Sequence, residues 1–133
     1  MALRLLHQDS TITISYDFQY DWLYANWTGD QSLESVQTGC LHLLEHLRFE
    51  RCTKVLNDNT EVTSMWSDAS EWVGATWFPM LAEAGLEYFA WVYSPNVYSR
   101  LSADLSMQQQ PTTRPIVLAF DSQELATNWL QLM

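Results

Sequence analysis

Trp22-Leu23-Tyr24-Ala25-Asn26-Trp27 is the stretch from which the rest of the chain can be read. In an extended backbone Leu23, Ala25 and Trp27 share one face, and Trp22 and Tyr24 share the other. Apolar groups on both faces mark an interior strand covered on two sides. Just before it, Thr11-Ile12-Thr13-Ile14-Ser15-Tyr16 alternates with period two, as a strand with one buried face does, and a turn over 17–21 joins the two. Leu3 to His7 reads as a short edge strand. Just after it, Leu33, Val36, Cys40, Leu43, Leu44 and Leu47 recur at three-and-four spacing, one stripe of an amphipathic helix that Asp30 is placed to cap.

The same alternation continues to the C-terminal end. Lys54-Val55-Leu56-Asn57 predicts a strand ending in the polar cluster Asp58-Asn59-Thr60. A second helical region is expected from Ser67 to Ala84, capped by Ser67, with Asp68 and Glu71 suited to its positive end. Pro79 has no N–H to donate and predicts a kink or restart near Phe78, and Gly85 closes the region. Leu86 to Tyr93 is a strand apolar on both faces. Ser94-Pro95 opens a short helix to about Leu105, followed by a polar loop over 106–114. Pro115 to Phe120 is the last strand. Asp121 and Glu124 stand at capping-box spacing before a final helix with Leu125, Trp129 and Leu130 inward. Strands alternating with helices imply parallel pairing through right-handed crossovers, after an antiparallel meander at the start. The expectation is an α/β fold: one domain over residues 1–133, with a mixed, mostly parallel sheet of five or six strands and about four helices.

Composition agrees and excludes several classes. At 133 residues and 15.5 kDa the chain fits one domain, and 47% hydrophobic against 17% charged residues argues against disorder. The net charge is −10 with only six Lys and Arg, so neither nucleic acid nor an anionic membrane surface is an expected partner. No apolar run approaches the roughly 20 residues of a membrane span. The first seven residues are interrupted by Arg4 and are too short for a secretory apolar region. Cys40 and Cys52 make no disulfide framework and no zinc motif. Both read as reduced thiols in a cytoplasm.

His42-Leu43-Leu44-Glu45-His46 matches the H-x-x-E-H pattern of the inverted zinc peptidases. Two histidines four apart on a helix can share a metal, with the glutamate as base. At about 100° per residue, however, both fall opposite the leucine stripe, on a face that reads as solvated and without the enclosure a catalytic zinc needs. No catalytic residue, metal or cofactor is expected. Gly29, Gly39, Gly74 and Gly85 are too dispersed for a phosphate loop, and no G-x-S-x-G elbow is present. Seven Trp, six Tyr and five Phe read mainly as core. Trp66 and Trp72, which flank the start of the second helix, are the pair able to line a cleft.

Parallel strands bring their C-terminal ends to one rim, where ligands bind in open α/β sheets. The residues delivered there are Thr28, Asp30, Asp58, Asn59, Thr60, Ser94, Asn96, Asp121 and Ser122. Capping of the following helices is the plain alternative for each. It explains Asp58-Asn59-Thr60 least, because the next helix starts later. The candidate ligand or partner rim is therefore Asp58, Asn59, Thr60, Trp66, Ser67, Asp68, Ser70 and Trp72.

Several short segments carry a family likeness: Trp27-Thr28-Gly29, Val55-Leu56-Asn57-Asp58-Asn59, Trp72 through Trp77-Phe78-Pro79, and Ala84-Gly85-Leu86 with Phe89-Ala90-Trp91-Val92. Phe120-Asp121 to Ala126, with Trp129-Leu130, completes the set. Together they resemble the STAS domains, and more specifically the small SpoIIAA-like bacterial proteins, over nearly the whole chain. The resemblance implies a non-catalytic domain that binds protein partners. In some members a serine after an aspartate at the start of the second helix is phosphorylated. Asp68-Ala69-Ser70 is the matching stretch, with alanine after the aspartate, so Ser67 or Ser70 would serve only with a register shift. Asp68 and Glu71 would repel the phosphate. Two functions follow. One is a protein-interaction or regulatory module using the second helix and its preceding loop, with a protein partner or a second copy of the chain. The other is a carrier of a small apolar molecule or lipid, by likeness to the related CRAL-TRIO fold, which requires an apolar cavity near Trp66, Trp72 and Trp77.

Overall fold

A computed structural model describes residues 2–133. Six strands, β1 (Leu3–Gln8), β2 (Ile12–Asp17), β3 (Trp22–Gly29), β4 (Lys54–Val62), β5 (Tyr88–Val92) and β6 (Ile116–Phe120), form one sheet in sequential order. The β1–β2 and β2–β3 pairs are antiparallel, and β3–β4, β4–β5 and β5–β6 are parallel. The three parallel steps are bridged by α1 (Leu33–Glu50), by a composite helical region that includes α2 (Ser70–Trp72) and α3 (Phe78–Glu83), and by α4 (Val97–Gln108). Crossovers of one hand advancing in one direction along a sheet lay their helices on the same face. The other face carries α5 (Gln123–Leu132), which follows β6.

The two faces of β3 divide as its alternation requires. Leu23, Ala25 and Trp27 enter the large core with Ile12, Ile14, Val55, Phe89 and the α1 residues Val36, Cys40, Leu43, Leu44 and Leu47. Trp22 enters the smaller core with Leu56, Ala90, Val92, Ala126 and Leu130, and Tyr24 packs at its margin. Lys54 Nζ donates to the Leu130 carbonyl, 2.8 Å, placing a cation at the negative end of α5.

The helix ends differ from the sequence expectation by one to three residues. Ser32 caps α1 rather than Asp30: its Oγ accepts from Ser35 N (3.1 Å), and Ser35 Oγ accepts from Ser32 N (2.8 Å). Asp30 instead accepts from Thr63 Oγ1, and Leu33, ahead of the inward stripe, stays exposed. Asn96 caps α4 through Tyr98 N and Ser99 N, so that helix begins after Pro95 and runs beyond Leu105 into the expected loop. Ser94 is buried, its Oγ donating to the Val62 carbonyl. Ser122 rather than Asp121 caps α5, which turns Ala126 and Leu130 inward and leaves Leu125 exposed. Trp129 is half-buried against Phe120 and Tyr88.

The second helical region starts without a side-chain cap, so Ser67 does not play that part. A tight turn over Ser67–Ala69 leads into α2, and a wide turn over Val73–Trp77 follows, in which Phe78 N–H reaches back five residues to the Val73 carbonyl. The restart expected at Phe78 is there, with Pro79 in the first turn of α3, where a missing N–H costs nothing. Gly85, at φ 102°, ends the region; Leu86 N bonds the Leu81 carbonyl in a Schellman arrangement.

Strand β4 is the larger correction. It runs through Val62, so Asp58-Asn59-Thr60 lies within the sheet and not in a loop beyond it. Asp58 pairs with both Asn26 and Val92, while Thr28 pairs with Glu61, so β4 holds an extra residue between Asp58 and Glu61. That bulge reverses the alternation. Asn57 and Asn59 face the large core, yet Val62 faces it too, and Glu61 turns to the opposite side beside Asn26.

Candidate functional site

Near the C-terminal end of β4, four indoles converge on two amides. Trp27 Nε1 donates to Asn57 Oδ1 at 2.8 Å, and Asn57 Nδ2 donates to Asn59 Oδ1 at 3.3 Å. Trp77 Nε1 bonds the Cys40 carbonyl at 2.9 Å, which ties the wide turn to α1. Trp66 stacks on Trp91 with ring centroids 5.9 Å apart, and its Nε1 donates to Ser99 Oγ at 3.2 Å. These side chains line a small, half-open pocket of about 20 Å³, room for about one water molecule. Trp91 Nε1, buried at its wall, makes no hydrogen bond to the described residues.

The sequence rim divides between the two faces of the sheet. Asn59 and Trp66 meet at this cavity, whereas Trp72 is half-buried against the core and does not line it. Asp58 and Thr60 face the other way. Asp58 Oδ2 accepts from Tyr24 OH at 2.9 Å, and its Oδ1 accepts from Thr60 N and Thr60 Oγ1. Burial, then the neighbouring Asp58 charge, push the Tyr24 phenol above its ordinary range. Ser70 is buried, and its hydroxyl donates to the Ser102 carbonyl at 2.8 Å, so no phosphate reaches it while that bond holds. Ser67 is half-buried and Asp68 exposed. The apolar pocket expected beside the second helix is thus present but of water size, not of lipid size.

The loop over 63–66 is fastened to α4. Trp66 N donates to Ser102 Oγ (3.0 Å), Asn96 Nδ2 donates to the Thr63 carbonyl (3.1 Å), and Ser64 Oγ accepts from Gln31 N (2.8 Å). Beside this seam Met65 is 51% exposed, and on α4 Val97 is 66%, Tyr98 59% and Leu101 49% exposed. Arg100 lies on the same helix, its guanidinium 4.1 Å from the Tyr93 ring centroid and its Nη1 2.8 Å from Asp121 Oδ1. Sequence alone does not single out this surface. Its signal was the row Ser99, Ser102, Ser106, which is the buried side of α4 and leaves Val97, Tyr98 and Leu101 outward.

The face of α1 bearing His42 and His46 is partly covered rather than fully solvated, with Glu45 exposed between the two histidines. The His7 ring of β1 stacks on His42 at 4.1 Å, and Arg4 of β1 reaches Glu50 at the end of the helix, 2.8 Å. Both α1 histidines are half-buried.

No family model and no curated protein matches the chain. Among solved structures it is similar to an uncharacterised protein of the DUF3478 family from Shewanella loihica PV-4, described as having a SpoIIAA-like fold. The identity is 15%, the TM-score 0.52, and the match covers 94% of this chain and 98% of that one. This likeness carries architecture alone, and it agrees with the six-stranded mixed sheet and its single-sided crossovers: the chain has the SpoIIAA-like α/β fold that its sequence resembles.

Proposed function

We propose that this chain is a non-catalytic protein-interaction module of the bacterial cytoplasm, whose partner docks on loop 63–66 and the first half of α4. The reading rests on one observation. Met65, Val97, Tyr98 and Leu101 are held in water on backbone that hydrogen bonds and helix geometry keep fixed. Apolar side chains grouped on a rigid surface mark interaction sites, and rigidity lowers the ordering cost of binding. Tyr98 and the neighbouring Arg100 are residue types enriched in interface centres. Two unpaired thiols, Cys40 and Cys52, support a reducing compartment. Among the described residues no helix is long and apolar enough to cross a membrane. The carrier reading needs a cavity that holds an acyl chain, and the one beside Trp66 holds about one water.

Wild-type protein, Tyr98→Asp and Leu101→Asp are to be compared by sedimentation and by affinity capture from lysate of the source cells. Because both positions are exposed, the melting temperature should stay within about a degree or two of wild type. The wild type should retain a stoichiometric partner, or a second copy of itself, that both variants lose. Identical sedimentation and identical captured proteins for all three would overturn the proposal.

A further inference from the structure

The chain has three histidines, and the fold brings all of them together. His7 comes from the edge strand β1, and His42 and His46 come from successive turns of α1. The His7 ring lies 4.1 Å from His42, stacked, and 6.5 Å from His46. Asp9, in the tight turn between β1 and β2, places Oδ2 2.7 Å from His7 Nε2. One donor atom from each of His7, Asp9 and His42 lies within 4.8 Å of the other two.

We propose that His7, Asp9 and His42 bind a divalent first-row transition ion such as Zn²⁺, which clasps the β1–β2 hairpin to α1. Two imidazoles and a carboxylate form a borderline donor set suited to zinc and its neighbours in the series. Around a tetrahedral zinc the donors stand about 3.3 Å apart, so binding draws together donor atoms that already lie within 4.8 Å of one another. His46, one turn along α1, or a water completes the fourth position. The carboxylate is already oriented, because Asp9 Oδ1 accepts from Thr11 N, Thr11 Oγ1 and Ile12 N and leaves Oδ2 toward His7. Outer hydrogen bonds of this kind are what hold a metal-binding carboxylate in place. The negative field of a chain with net charge −10 draws cations to it.

A His7–Asp9 ion pair and ring stacking already gather the three groups, and because imidazole lone pairs lie in the ring plane, binding turns the stacked His7 and His42 rings until their nitrogens meet at one point. On binding, any proton between His7 Nε2 and Asp9 leaves to solvent. The donor set differs from the H-x-x-E-H arrangement, because Glu45 is exposed and Asp9 supplies the carboxylate. The role inferred is a structural clasp and not peptidase chemistry.

The full chain is titrated with ZnCl₂ by calorimetry while the three histidine Cε1–H signals are followed by NMR. One-site binding is expected, with the His7 and His42 signals shifted and the melting temperature raised. Co²⁺ should give the visible band of a tetrahedral site. His42→Gln and Asp9→Asn should each weaken binding by about tenfold or more, and Glu45→Gln should leave it unchanged. If either variant fails to fold, the wild-type histidine signals still decide the matter. Absence of saturable binding, or binding that leaves the His7 and His42 signals in place, would overturn the proposal.

Discussion

Trp27 and Trp91 stand on the same cavity wall and differ in one hydrogen bond. Trp27 Nε1 satisfies Asn57 Oδ1, while Trp91 Nε1 is buried with no partner among the described residues. Replacing either by Phe removes similar ring volume. Trp27→Phe also leaves a buried amide oxygen unpaired, which costs about 1–3 kcal/mol, whereas Trp91→Phe removes a donor that was already unpaired. Trp27→Phe should therefore be the more destabilising of the two by about that amount in urea denaturation. The reverse order would show that the Asn57 bond is not what holds this end of the sheet. Sequence placed these rings in the core correctly, because alternation along a strand fixes which face a residue takes. It did not show which indole is satisfied, since Asn57, Cys40 and Ser99 come from separate elements.

Two helical glycines set how closely the elements pack. A Cβ on Gly39 would stand 2.5 Å from the Trp27 ring, and one on Gly74 would stand 2.0 Å from the Ser106 carbonyl oxygen. In an exposed helix Gly→Ala is worth up to about 1 kcal/mol of added stability. Here the sign should reverse, with Gly39→Ala costing about 1–3 kcal/mol and Gly74→Ala more, because the atom it meets is backbone. Thermal melts of the two variants check this; a rise in melting temperature for either would contradict the close contact. The same contacts show what can be read at this scale. The α1 stripe from Val36 to Leu47 and the two-faced β3 follow from local period alone. The caps at Ser32, Asn96 and Ser122 lie among several polar candidates, and the choice depends on where the chain leaves the sheet. The bulge between Asp58 and Glu61 has no local signature, so from sequence alone a strand interior looks like a rim. From sequence alone His7 is only the end of an edge strand, because its stacking on His42 is a contact between two elements far apart in sequence.

Across the whole molecule, folding shifts several weak acids in one direction. Burial raises the Cys52 thiol to about 12 and Cys40 well above its ordinary value. The Asp21 hydrogen bond raises the Tyr16 phenol to about 12, and burial with the Asp104 bond raises Tyr93 to about 12. Unfolded thiols and phenols lose their protons near about 8.5 and 10. Between those values and about 12 the unfolded chain therefore binds fewer protons than the folded one, and stability falls as pH rises. Tyr16 is exposed enough for solvent to screen its share, so the buried thiols and Tyr24 dominate. With reductant present, the urea midpoint should fall steadily from about pH 8 to about pH 11, and the double variant Cys40→Ala, Cys52→Ala should flatten the lower part of that fall. A midpoint that holds level or rises would contradict the burial of these groups. Repulsion within a chain of net charge −10 acts in the same direction, but salt screens it and leaves the cost of ionising a buried thiol in place. At high salt the fall should persist in the wild type and remain flattened in the double variant.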